Sequence, residues 1–256
     1  MSQTSPQAAP PPPNALNLRA SDLLLLLIFV LGISRLLTGF VGDLASPFAP
    51  TTDGAGDDGT GLAFFLLILQ FAIVLGGCHL IILRPYGLRL ADLGLGRFRA
   101  RYIRLGVVSG ILALPMVTFV NYLLQTVKEV PFDNPQIDIL TAGGLSPGAL
   151  FGFLLLGGVA APFAEEIAFR GIFFGWLRGR MSALPAVFLC GLTFALLHGL
   201  PQLIPALTAI GMLLAYLRMV SGSLWPPIIA HAVFNIASML LVYAAMAQQL
   251  AIESAG

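Results

Sequence analysis

Seven residues in the second half of the chain combine types and spacings that can do chemistry. They are Glu165, Glu166 and Arg170 in AEEIAFRG, Phe194 and His198 in FALLHG, and His231 and Asn235 in HAVFN. A carboxylate and an imidazole can take a proton from water, and an imidazole or an amide can donate hydrogen bonds to a developing oxyanion. The same residues allow a second arrangement. Glu165, His198 and His231 make a two-histidine, one-carboxylate set of the kind that holds catalytic zinc, with water in the fourth position. No HExxH pair is present, so a zinc site would draw its general base from Glu166 or elsewhere. Residue types leave both arrangements open.

Spacing divides the labour among these groups. Glu166 precedes Arg170 by four residues, the favourable order for an ion pair along one helix face. Glu165 is rotated by about 100° from Glu166 at 3.6 residues per turn, so it needs another partner. If the chain reverses near Met181 and Ser182, Glu165 and His198 each lie about 16 residues from the turn. At 1.5 Å per residue, antiparallel neighbours would hold both at one depth. His231 approaches the same layer from a third helix, about ten residues after a turn near Ser221, and Asn235 lies one turn further on the same face. Phe194 is expected to pack beside His198. Two other polar residues in apolar runs lack such company: Arg35 is expected to snorkel or pair with Asp22 or Asp43, and His79 to sit at the membrane interface.

The elements that must position these groups follow from composition. Of 256 residues, 57% are hydrophobic and 10% charged, where soluble domains carry about 25% charged residues. With a mean hydropathy of +0.91, the chain reads as an all-α, polytopic transmembrane bundle. A net charge of +1, with no basic patch interleaved with aromatics, argues against nucleic acid as a partner. Cys78 and Cys190 sit in apolar runs and read as buried hydrophobes.

Runs long enough to span, about 20 residues, occupy roughly 22–41, 61–83, 104–124, 148–177, 184–200, 203–219 and 223–246. That makes seven spans, or eight if Gly157, Gly158 and Pro162 break the fourth. With seven spans and a cytoplasmic amino terminus, Arg19, Arg84, Arg89, Arg97, Arg99, Arg101, Arg104, Arg178, Arg180 and Arg218 all fall inside and only Lys128 outside. The positive-inside tendency therefore favours seven. Asp43, Asp53, Asp57, Asp58, Glu129, Asp133 and Asp138 fall outside. Residues 1–20, with four prolines at 10–13, read as a disordered cytoplasmic tail and 21–250 as the membrane domain. The expected location is the plasma (inner) membrane of a prokaryote, with membrane lipid as a constant partner; oligomeric state is not encoded in any motif.

Glu-Glu-x-x-x-Arg, Phe-x-x-x-His and His-x-x-x-Asn in this order resemble the CPBP family of intramembrane proteases, which includes type II CAAX prenyl endopeptidases and bacteriocin-processing or immunity (Abi-like) proteins. The resemblance covers about residues 84–245. It implies an endopeptidase, a hydrolase usually called a metalloprotease, whose catalytic set is Glu165, His198, His231 and Asn235, supported by Glu166, Arg170 and Phe194. Its substrate would be a membrane-associated peptide or lipidated protein, either a CAAX-type prenylated one or a leader peptide. Zinc held by Glu165, His198 and His231 is one reading of the site and a metal-free glutamate and histidine mechanism the other. Two further readings stay open: a non-proteolytic immunity or scaffold protein of the same fold, and a proton-coupled transporter using the Glu and His as a relay. No internal repeat of the kind many transporters show is apparent.

Overall fold

Backbone polar groups inside a bilayer must bond to one another, and helices are the local way to do so. The structure, a computed structural model, describes residues 15–45, 60–128 and 146–255, and among them there is no strand. Seven long helical stretches succeed one another among the described residues, with short helical turns at Ala91–Leu95 and Pro201–Leu203 between them: α1 (Ala20–Ala45), α2 (Thr60–Leu83, ending in π turns), α3 (Arg101–Lys128), α4 (Pro147–Arg178), α5 (Ala183–Leu197), α6 (Ile204–Ser221) and α7 (Trp225–Ala255). All except α5 are long and apolar enough to cross a membrane.

Two elements depart from the expected spans. α4 runs through Gly157, Gly158 and Pro162 without reversing, which removes the eight-span alternative. Pro162 has no N–H to give the preceding turn, and the π stretch Leu156–Ala160 just before it takes up the mismatch. α5 was expected to reach residue 200 but stops at Leu197, with His198 as its C-cap. Gly199 follows in the left-handed region (φ 69°) and Pro201 cannot continue the helix. At 15 residues α5 is about 22 Å long, short of the roughly 30 Å of a bilayer core.

Close approach between helices rests on small residues, as is usual where lipid supplies no hydrophobic drive. α5 and α6 cross at Gly191 and Gly211: a Cβ on Gly191 would lie 2.7 Å from the Met212 nitrogen and 2.9 Å from the Thr208 oxygen. α3 packs along α7, where a Cβ on Gly110 would lie 2.5 Å from the Ala230 carbonyl.

One end of the bundle is tied by hydrogen bonds between connecting segments. The Leu16 amide donates to Gly175 O (2.8 Å), Trp225 Nε1 to Leu95 O (2.9 Å), Ser223 Oγ to Arg97 O (2.9 Å) and Tyr102 Oη to Ser221 O (3.1 Å). Arg180 donates to Leu18 O, and the Arg19 amide to Tyr86 Oη at 3.0 Å. The tail expected to be disordered over residues 1–20 thus differs at its end: residues 15–19 are docked here, with Leu18 only 2% exposed in a core cluster with Ile82, Ile167 and Leu224. Residues 1–14 lie outside the described residues. Cys78 and Cys190 are buried as expected. Asp22 accepts the Tyr86 hydroxyl, while Arg35 and His79 are both exposed.

The α5–α6 crossing yields a direct test. Gly191→Ala forces a methyl group onto the α6 backbone and is expected to cost about 1–3 kcal/mol, as overpacking does. Gly76→Ala, where a Cβ meets nothing within 4 Å, should be neutral or slightly stabilising. Denaturation midpoints of the two variants in mild detergent compare them.

Candidate active site

The site is assembled on α4, between two π stretches that bracket the α-helical Ala161–Glu166. These widened turns set the faces from which Glu165 and Glu166 project, and π insertions of this kind are frequent at functional sites. Glu166 turns into the protein core and Glu165 toward a cavity. Glu166 is 0% exposed, whereas the Glu165 side chain is 29% exposed.

Glu166 Oε1 accepts from two donors at once, Arg170 Nη1 at 2.7 Å and His231 Nδ1 at 2.9 Å. Arg170, also 0% exposed, donates from Nη2 to Gly211 O on α6 (3.0 Å) and lays its guanidinium 4.5 Å from the centre of the Phe194 ring on α5. One buried arginine therefore touches α4, α5 and α6, and its carboxylate partner reaches α7. Arg218 Nε donates to the Arg170 carbonyl from below (3.3 Å) and Nη2 to Leu93 O (2.8 Å). It fits there because Gly94 (φ 106°) has no Cβ, which would lie 2.9 Å from Nη1.

With Nδ1 bonded to a carboxylate, His231 presents Nε2 on its other side, 3.8 Å from Glu165 Oε2. A carboxylate can only accept, so the first bond is donated from Nδ1, and Nε2 faces the cavity. His198 reaches a similar state by a local route. Its Nδ1 lies 2.7 Å from Phe194 O, one turn back in α5, and a carbonyl likewise only accepts. Phe194, 1% exposed, packs against both imidazoles, with its ring 4.5 Å from that of His198 and 5.7 Å from that of His231. Asn235 Nδ2 donates to Gly157 O at 3.0 Å, a carbonyl in the first π stretch.

Glu165, His198, His231 and Asn235 all line one cavity of about 420 Å³, with Phe194 in its wall. The rest of the lining is mostly apolar. Two polar cavity residues are not among the motif residues: Asn121 on α3, whose Oδ1 is buried with no hydrogen-bond partner among the described residues, and Ser238 on α7. Asn121 is a lone amide in an apolar run, and Ser238 lies seven residues after His231 on one helical face. Both signals were legible but weak. The structure also extends the expectation for Glu166, whose pairing with Arg170 is joined by the bond to His231.

The donor set is not arranged to hold zinc. Among the described residues, no three His, Cys, Asp or Glu side chains gather into a group able to hold a metal ion. Glu165 Oε2 and His231 Nε2 lie 3.8 Å apart, whereas His198 has its Nδ1 committed to Phe194 O of its own helix. In this arrangement the three residues do not form a ligand shell.

Residues 147–237 match the family model described as type II CAAX prenyl endopeptidase Rce1-like. The matched segment runs from the start of α4 to just past Asn235 and contains all seven residues singled out above. No curated protein and no solved structure shows a significant match to the chain.

Removing one member of a buried ion pair strands its partner, at a typical cost of 3–5 kcal/mol. Arg170→Gln is expected to lower stability by about that amount, seen as a reduced denaturation midpoint in detergent. An unchanged midpoint would mean that Glu166 does not depend on Arg170.

Proposed function

We propose that this integral membrane protein, carrying an Rce1-like domain, is an intramembrane endopeptidase acting without a metal ion. The observation that carries this reading is the placement of Glu165. It is the partly exposed carboxylate of the pair, it faces His231 Nε2, and it shares an apolar cavity with His198 and Asn235. A buried carboxylate that served only structure would resemble Glu166, fully enclosed beside its cation.

The steps follow from which nitrogens carry protons. A water between Glu165 and His198 is oriented by two acceptors, the Glu165 carboxylate and His198 Nε2. Glu165 takes its proton as the oxygen attacks the carbonyl carbon of the peptide bond. The proton can move on to His231 Nε2, and the resulting imidazolium is stabilised by Glu166 through Nδ1 as a buried carboxylate stabilises the imidazolium of a hydrolytic triad. The newly formed Nε2–H and the Asn235 amide then face the oxyanion as its charge develops. Collapse of the tetrahedral intermediate breaks the C–N bond, and the same proton passes to the leaving amine. His231 is thus an acceptor at rest and a donor only after it has received this proton.

The apolar lining suits a peptide that enters from lipid. It favours neither a prenylated nor an unmodified segment.

Three variants and a chelator test this reading with purified protein and a pool of apolar fluorogenic peptides. Glu165→Gln should reduce turnover to background in folded protein, and Asn235→Ala should reduce it roughly 100- to 1,000-fold, the range for loss of one oxyanion donor. Protein treated with a tight chelator should keep its activity. Loss of activity restored by added zinc would overturn the metal-free assignment, and full activity of His198→Ala would overturn the assignment of the site.

A further inference from the structure

A second cavity, of about 290 Å³, lies among the connecting segments that carry most of the arginines. Leu16 of the docked amino-terminal segment, Asp92, Gly94 and Arg97 of the turn before α3, and Arg218 and Gly222 at the end of α6 line it. It shares no lining residue with the catalytic cavity. Arg218 stands three residues before the end of α6, where an arginine normally extends its head into water. Here it is 2% exposed.

The buried guanidinium is only partly satisfied. Nε and Nη2 are engaged by the Arg170 and Leu93 carbonyls, whereas Nη1, beside Gly94, is buried with no hydrogen-bond partner among the described residues. Neutral carbonyls satisfy donors without cancelling the charge. Among the described residues no carboxylate lies within ion-pair distance of Arg218 or of the exposed Arg97. Glu166 is taken by Arg170, and Asp92 Oδ2 accepts from the Arg89 amide (2.8 Å) and Nε (3.5 Å). Two guanidiniums therefore line one polar cavity with no carboxylate paired to either. A charge buried in a membrane protein is costly until it is paired.

We propose that this cavity binds a phosphate group, held between Arg218 and Arg97. Guanidinium forks match the oxygens of phosphate, and several acceptor oxygens on one anion serve two arginines at once. The surroundings suit the headgroup of an anionic lipid. Phe98, exposed next to Arg97, meets the Trp225 ring edge-on at 5.5 Å, and aromatic side chains of this kind collect at headgroup depth, where basic pockets between helices take lipid phosphates. A free phosphate offers the same chemistry from water. Because Arg218 Nε also donates to the Arg170 carbonyl, the bound anion would steady the cation that holds Glu166. The site stands apart from the proteolytic reading, and its test needs no turnover.

Ligand-linked stability provides that test, since an anion that binds only the folded protein raises its denaturation midpoint. Delipidated full-length protein in an uncharged detergent is titrated with inorganic phosphate, with dioctanoyl phosphatidylglycerol, with the phosphate-free dioctanoylglycerol and with sodium chloride at matched ionic strength. A phosphate-bearing probe should raise the midpoint saturably where chloride and dioctanoylglycerol do not. A shift from phosphatidylglycerol alone, or at lower concentration, identifies a lipid headgroup, and a shift from inorganic phosphate at equal or lower concentration identifies the free anion. Arg97→Gln should need about tenfold more ligand or beyond for the same shift, as expected for loss of one hydrogen bond to a charged group. Arg218→Gln should lose the shift, and Arg99→Gln, exposed but outside the cavity, should keep it. If Arg218→Gln does not fold, Arg97→Gln against Arg99→Gln decides alone. No saturable shift from either phosphate probe, an equal shift from chloride or dioctanoylglycerol, or an undiminished shift in Arg97→Gln overturns the proposal.

Discussion

A fully buried guanidinium governs this structure. Ionisable groups in a membrane interior are costly unless they pair, and Arg170 answers that requirement with Glu166 Oε1, Gly211 O and the face of Phe194. These three contacts belong to α4, α6 and α5. Because Glu166 Oε1 also accepts from His231 Nδ1, the same charge pair sets the rotation of an imidazole on α7. The small-residue crossing at Gly191 and Gly211 serves this arrangement, since it brings the Gly211 carbonyl within reach of Arg170.

The chemistry that follows is a division between two adjacent carboxylates. Helical geometry sends Glu165 and Glu166 to different faces, and the flanking π stretches enlarge the difference in environment. Glu166 is enclosed and neutralised, and Glu165 is left beside a cavity where water and peptide can meet. The pair therefore resembles a reactive carboxylate backed by a positioning one, with His231 as the bridge between them. Asn235 is tied into the same framework through the Gly157 carbonyl, so the π stretch before Pro162 both relieves the proline and anchors the amide.

Much of this was legible in the residues. The four-residue step from Glu166 to Arg170 foretold their pairing, because that argument uses only helix geometry, and Glu165 and His198, expected at one depth, line the same cavity. The length of α5 was misjudged because hydropathy continues through residues that Gly199 and Pro201 remove from the helix. The bond from Glu166 to His231 was not readable, since 65 residues separate them and only the rotation of α7 against α4 brings them together. Asn121 and the docking of residues 15–19 were missed for a like reason: each depends on which face of a neighbouring helix is presented, and sequence periodicity in a uniformly apolar run hardly specifies a face.

The most direct test of this framework is the protonation of the His231 ring in the intact protein, measured by 15N NMR of labelled histidine and assigned with His231→Gln. At neutral pH, Nδ1 should carry the proton and Nε2 should show the shift of an unprotonated nitrogen, and Glu166→Gln should disturb this pattern while leaving that of His198 in place. A resting His231 with its proton on Nε2 and a bare Nδ1 would contradict the account, because Glu166 could then neither orient the ring nor stabilise its imidazolium.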